Sequence, residues 1–280
     1  MNIGFYSGYS SGDINIIGTQ YITTTQTNQA GSTVLGWSGK FHAPREATHA
    51  LISACAKGGK ATAGGADAAG GAGAACYRIV FELSVFRYIA YHLGHQMSNM
   101  NIGSSGYYGE YLTAHVGRSF GGFPGLILND GADASGLNGG AGGSAFYYRK
   151  EANVQQTIIT LTGGAGGTSV AGGEGQIIST PCGGILASGA GGGGHPGANY
   201  TAGGNVPSPW RGSKVGGLND DGLALPGGGA SLYCHGPGPG YNIPGWNLNS
   251  TNRFSAPGIG GIGTASQKSP GFIYCEFVIL

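Results

Sequence analysis

Glycine recurs at an interval of three through the middle of this chain, and that interval decides what the chain can become. In Gly163-Gly164-Ala165-Gly166-Gly167 and Gly172-Gly173-Glu174-Gly175, positions 163, 166, 172 and 175 share one phase of a three-residue repeat, and 164, 167 and 173 share the next. An α-helix asks for apolar residues about every 3.6 positions and a half-buried strand for every second one. A polyproline-II chain instead turns once per three residues and rises roughly 3.1 Å at each. In-phase glycines let such rods touch backbone to backbone. Collagen uses the same permission, but with an unbroken Gly-X-Y repeat rich in proline, which this chain lacks. The pattern predicts short glycine rods from one chain, packed side by side and bonded through N–H and C=O, because buried backbone polar groups must find partners.

Glycine-rich sequence without a strict period ordinarily belongs to unfolded chains, and glycine costs the most backbone entropy to order. Here the tracts alternate with dense apolar segments such as residues 79–91 and 272–280, so the sequence specifies a compact object. Strands are expected at 48–55, at 75–92 in two pieces with a bend near Arg87, and at 145–149, 156–161, 184–188, 230–234 and 272–280, each beside a glycine tract. The expected fold is all-β, with short strands framing packed polyglycine/polyproline-II rods and almost no helix. Gly163, Gly164, Gly166, Gly167, Gly172, Gly175, Gly258 and Gly261 are its expected structural glycines. Residues 1–39, rich in Ser, Thr, Asn, Gln, Tyr and Gly, carry strand signals at 15–18 and 20–25 and read as an N-terminal docking segment. Residues 40–280 read as the glycine-rich domain.

Charged residues are 9% of the chain and the net charge is +1, which leaves no electrostatic footprint for nucleic acid. No window reaches the apolar length of a membrane span, and the first residues lack the basic and apolar regions of a signal peptide. The expectation is a protein made and kept in the cytosol unless something carries it out. Cys55, Cys76, Cys182, Cys234 and Cys275 are odd in number, widely spaced and without a CxxC pair, which fits buried free thiols rather than a disulfide framework or zinc site.

Catalysis requires convergent titratable groups, and the chain offers few. Asp220-Asp221 and the spaced pair Asp130 and Asp133 are the carboxylate concentrations, the latter fitting a solvated turn beside glycine. His92 and His95 lack a third ligand nearby, no Gly-x-Ser-x-Gly elbow is present, and Gly191 to Gly194 is not followed by the Lys-Ser or Lys-Thr of a phosphate loop. No enzyme, metal or cofactor is expected. Binding has better support. Trp210, Arg211, Tyr233, His235, Tyr241, Trp246, Arg253 and Phe254 fall in or beside two Pro- and Gly-rich stretches, 205–221 and 236–256. Tyr107 and Tyr108 lie in a third, polar stretch at 99–111. Aromatic and Arg side chains dominate interface energetics. The alternative for each aromatic is a cap over the glycine layer, where no side chains exist to make a core.

Phe41-His42-Ala43-Pro44 with the strand that follows, Lys57-Gly58-Gly59, residues 159–167 and the ending Gly271-Phe272-Ile273-Tyr274-Cys275-Glu276-Phe277 resemble the glycine-rich domain of bacteriophage tail and fibre proteins, across roughly residues 39–280. That family includes tail-fibre adhesins built on a polyglycine-II sandwich with variable loops at one end. The resemblance implies a virion protein assembled in the host cytoplasm. Residues 1–39 would meet other virion or tail-fibre proteins, and the aromatic loops a host surface glycan or outer-membrane protein. The chain would act as a homotrimer or as a monomer on a trimeric fibre. A purely structural tail or capsid-surface component without receptor contact is the alternative, and a non-viral binding or ice-binding protein a third.

Overall fold

The computed structural model describes residues 14–23, 37–62, 68–83, 87–93, 99–103, 125–151, 154–181, 183–195, 201–207, 227–234, 258–260, 269 and 271–280. Among them the fold is all-β, without a helix. The strands are β1 (Asn15–Thr23), β2 (Trp37–His42), β3 (His49–Cys55), β4 (Ala75–Glu82), β5 (Tyr88–Leu93), β6 (Asn99–Gly103), β7 (Gly125–Asn129), β8 (Ala145–Glu151), β9 (Val154–Leu161), β10 (Ile177–Ser179), β11 (Ile185–Ala187) and β12 (Phe272–Ile279). They form two six-stranded sheets, β1-β12-β3-β4-β11-β10 and β2-β5-β6-β7-β8-β9. Every pairing is antiparallel.

Alternation along the strands builds the core between the sheets. Ile52 of β3, Ile79 and Phe81 of β4 and Ile273 and Phe277 of β12 pack with Phe41, Ile89, Ile102, Leu126, Leu128 and Tyr147 of the other sheet. Small residues mark where several strands run out: Ala54, Ala56, Ala74, Cys76 and Ala145 belong to the same buried cluster. Two glutamines join the sheets at opposite sides. Gln20 Nε2 donates to the His42 carbonyl at 3.0 Å, and Gln176 Oε1 accepts the Thr162 amide at 3.2 Å.

Beyond the small residues the strands run directly into glycine rods. β3 continues as 56–62, β7 as 130–134, β9 as 162–167 and β11 as 188–195, while 68–74, 138–144 and 171–176 lead back into β4, β8 and β10. Rod-to-rod bonds fall at intervals of three. Ala56, Gly59 and Thr62 donate to the carbonyls of Ala74, Gly71 and Ala68, which makes 56–62 and 68–74 antiparallel. Gly164 and Gly167 donate to Gly189 and Gly192, which makes 162–167 and 188–195 parallel. One bond per three residues is the signature of a chain that turns once per three.

Rod 68–74 is ringed by six neighbours. Gly71 and Ala74 donate to Ala132 and Asn129 and accept from Gly59 and Ala56; Ala69 and Ala72 donate to Gly193 and Ala190 and accept from Gly140 and Gly143; Gly73 donates to Gly258 and Gly70 accepts from Gly229. Each of the three phases therefore serves one donor and one acceptor neighbour. Rod 188–195 is ringed likewise by 68–74, 138–144, 162–167, 171–176, 201–206 and 227–231. The rods lie in three layers. Rods 130–134, 138–144 and 162–167 continue the second sheet, 56–62, 68–74, 188–195 and 171–176 continue the first, and 258–260, 227–231 and 201–206 cover the first sheet's layer from outside. Buried Ser269 ties that outer layer down: its Oγ accepts the Gly58 amide at 2.9 Å and donates to the Ile259 carbonyl at 2.6 Å.

The contacts are backbone on backbone, so a side chain at an inward phase has nowhere to go. A Cβ on Gly163, Gly164, Gly166, Gly172 or Gly175 would collide with the carbonyl oxygen of Gly142, Gly173, Gly139, Gly191 or Ser188, and one on Gly167 would stand 2.7 Å from Val170 O. Gly258 has φ 69° and its Cβ would overlap the Cys55 sulfur. Gly261 lies outside the described residues. Outward phases tolerate side chains at the same interval: Thr162, Ala165 and Thr168, then Ala171 and Glu174, are exposed.

Several sequence expectations need correction. The two strands expected at 15–18 and 20–25 are, over the described residues, one strand, β1 (Asn15–Thr23), with a register shift between Ile16 and Gly18 and paired along β12; residues 24 and 25 lie outside the described residues. Part of the expected docking segment is therefore an edge of the sandwich. The stretch 99–111 begins as a strand rather than a loop, since β6 takes up residues 99–103. Residues 230–234 are the end of a rod, without strand pairing. The long apolar segment 75–92 divides, as its broken alternation predicts, with β4 in one sheet and β5 in the other.

Replacing Gly166 with Val should destabilise the protein by about 3 kcal/mol, a drop in Tm of roughly 6–12 °C for a chain of this length. Ala165→Ser, one residue away on the outward phase, should leave Tm nearly unchanged. Calorimetry on the two variants separates a packed lattice from a loose glycine tract.

Candidate recognition surface

The outer rod layer ends over the outer face of the first sheet. Val206, from rod 201–206, Ala230, from rod 227–231, and Leu232, just after that rod, bury themselves against Cys55, Ala75, Ile185, Ala187 and Ala190. Tyr233 closes this cluster. Its ring meets Phe272 edge-on, with centroids 5.1 Å apart, and its hydroxyl donates to the Cys76 carbonyl. Burial pushes the Tyr233 hydroxyl pKa well up, and the neighbouring Cys76 and Cys55 add to the shift. Tyr233 is half-buried, with one side packed as the capping alternative would have it. Trp210, Arg211, His235, Tyr241, Trp246, Arg253, Phe254, Tyr107 and Tyr108 lie outside the described residues.

The described ends of the long stretches show where each departs. Rods 201–206 and 227–231 are parallel neighbours, Gly227 donating to Thr201 and Ala230 to Gly204. Their ends at Val206 and Leu232 therefore come together at the junction of lattice and sheet, buried in one cluster. The chain after 236–256 re-enters at Gly258, whose carbonyl accepts the Gly73 amide at the same junction. Residues beyond Gly103 depart elsewhere. Gly103 pairs with Gly125 at the start of β7, so this departure lies a five-residue strand away from the rods, roughly 17 Å. Two of the three anchors come together; the third does not.

Sequence reading singled out the loops and passed over the sheet beside them. On the outer face of the first sheet Tyr21, 60% exposed, stands opposite Tyr274 in register and 6.2 Å from the Phe272 ring. Arg78 reaches from β4 past Ser53 of β3 to β12, where Nε and Nη2 donate to the two Glu276 carboxylate oxygens at 2.8 and 2.7 Å. Desolvation alone would lower the guanidinium pKa; the hydrogen bonds and charge of Glu276 outweigh it and hold it up. Arg78 has φ 47°, in the left-handed region that side chains other than glycine seldom occupy. Its amide donates to Ser53 Oγ at 3.1 Å. Gly184, at φ 88°, lies so close to the Arg78 carbonyl that a Cβ there would overlap it. The signal for this face was the even positions of 272–278, which alternate with the core positions 273, 275 and 277.

The chain matches no known family profile, and no curated protein resembles it in sequence.

The remaining chemistry-bearing residues have structural placements. Asp130 and Asp133 bond across rods: their Oδ1 atoms accept the Lys57 and Lys60 amides at 3.0 and 2.9 Å, one rod over. Gly131 and Ala134 return the exchange by donating to the carbonyls of Lys57 and Lys60. Among the described residues no three of His, Cys, Asp and Glu gather as metal ligands, and no helix is long and apolar enough to cross a membrane. Cys55, Cys76 and Cys275 are buried thiols and Cys234 a partly buried one, none of the four in a disulfide.

Burial raises the Cys55 thiol pKa, with Cys234 and Cys76 contributing further, and raises that of Cys275, with Glu276 adding to it. A thiol whose folded pKa is raised adds stability below its unfolded value of about 8.5 and loses it as pH climbs further. Tm should therefore fall above about pH 9. Iodoacetamide at pH 8 should leave Cys55 and Cys275 unmodified in the native protein and alkylate them in denaturant, read by peptide mass spectrometry.

Proposed function

We propose that this chain is a non-enzymatic phage virion-surface protein, a tail-fibre or tail-tip adhesin that recognises a host receptor through loops held on a glycine-rich scaffold. The observation that carries this reading is the pairing of the loop anchors. Stretches 205–221 and 236–256 leave from adjacent rods of a lattice whose packed positions hold glycine and alanine. Discrimination between ligands needs side chains, and a rigid layer without them displaces that task to what it holds. Exposed Tyr21 and its neighbours Phe272 and Tyr274 add an aromatic surface on the adjoining sheet face. The ligand is a surface glycan or outer-membrane protein. Residues 1–39 face the assembly through the edge formed by β1, where Ile16 is 45% exposed.

The inward placement of Tyr233 favours a second reading, a structural virion component whose aromatics cap the lattice and touch no receptor.

Trp210→Ala, Tyr241→Ala and Trp246→Ala should each weaken adsorption to host cells while leaving Tm nearly unchanged. Loss of folding in these variants would make the aromatics core, and unchanged adsorption with unchanged Tm would leave the structural reading. Deleting residues 1–39 removes β1 from its pairing with β12 as well as any docking contact, so a point change at exposed Ile16 is the cleaner probe of particle incorporation.

A further inference from the structure

The two flanks of the rod lattice are built differently. One flank ends in rods 56–62 and 130–134 and carries Lys57, Lys60, Asp130 and Asp133. There the aspartate side chains take up the amides of Lys57 and Lys60. Charge and side-chain capping are how proteins close an edge against further pairing. The other flank ends in rods 162–167 and 171–176 and is left open. Among the described residues, the amides of Ala165, Gly166, Ala171 and Glu174 have no hydrogen-bond partner.

The open flank continues into the sheets. β9 and β10 are the edge strands of the two sheets on this side, and both are exposed: Ile158 is 42% accessible, Ile178 42%, and Val170, in the turn between the rods, 69%. Glu174 is the only charged residue between Val154 and Pro181. No lysine, aspartate or arginine guards a continuous backbone edge that runs from strand through rod to strand.

We propose that this flank is a self-association surface, on which a second copy of this chain seats its own 162–176 rods. Two features fix the occupant. The surface is all but uncharged, so two copies face each other without the like-charge repulsion that identical charged surfaces suffer. And rods in this fold bond in either direction, as 68–74 does antiparallel to 56–62 and parallel to 138–144. A copy turned by a two-fold axis therefore presents donors and acceptors at the same three-residue spacing, in an isologous contact. The outward positions at the seam are Thr162, Ala165, Thr168, Ala171 and Glu174; the first four are small enough for rods to approach, and Glu174 alone is long and charged.

Sedimentation velocity across a concentration series of the full chain tests this. The wild type should sediment as a reversible dimer, and Ala165→Lys with Ile178→Lys should raise its dissociation constant roughly a hundredfold or more with Tm retained. Ala132→Lys, exposed on the charged flank, should leave the dimer intact. Should the double variant fold poorly, hydrogen exchange on the wild type reads the same seam: the Ala165 and Gly166 amides should gain protection as concentration rises. A wild type that stays monomeric with concentration-independent exchange overturns the proposal, as does a dimer indifferent to the two lysines. A monomer whose double variant fails only to enter particles also overturns it and gives the flank to a different protein.

Discussion

Everything in this molecule depends on the amide-to-carbonyl bond between rods. A lattice of glycine buries little apolar surface, so the usual source of stability is missing from half of the fold. Each intramolecular hydrogen bond contributes a net of only about 0.5–1.5 kcal/mol, against a residue that loses more freedom on ordering than any other. The lattice can hold only if nearly every inward group is bonded and the rods arrive already extended and in register. The sandwich meets the second condition. Phe81, Phe277 and Tyr147 fix two sheets by ordinary burial, and β3, β7, β9 and β11 then deliver their chains into the rods without a turn.

The passage from one regime to the other is graded. Sheets packed face to face stand about 10 Å apart because side chains fill the gap, whereas rods touch through their backbones. The layers must converge, and Ala54, Ala56, Ala74 and Ala145 sit where they do. Alanine in the central rod, at 69 and 72, shows that the lattice excludes Cβ atoms by position and not by type. At Gly71, between them, a Cβ would run into the Ala141 carbonyl.

Much of this was legible in the sequence. The in-phase glycines named the rods, the broken alternation after Val85 divided 75–92 into strands of different sheets, and 272–280 stood out as a strand. What could not be read was which rod lies beside which. A bond between two peptide groups has the same chemistry whichever residues supply it, so pairings such as Gly73 with Gly258 leave no trace in side-chain pattern. The short β7 and β10 went unread because five and three residues carry too little periodicity; the equally short β11 was read from the glycine tract that follows it. The three-residue spacing of Asp130 and Asp133 was visible, but not that it matched the spacing of Lys57 and Lys60. Tyr233 resembles the other candidate aromatics in sequence, and nothing there announces its packing on Phe272 or its hydroxyl on the Cys76 carbonyl. The aromatic face at Tyr21 and Tyr274 was hidden because pairing of the first strand with the last brings it together.

The continuity of strand and rod has a mechanical meaning. Bonds between rods lie across the rod axis, so a pull along that axis loads the bonds of neighbouring rods together in shear instead of parting them one after another. Strands that enter without a turn pass the same load into the sheets, where the pairing is again crosswise. A molecule fixed at its sheets and gripped at the far ends of its rods would resist as a stiff post, with little stretch before failure.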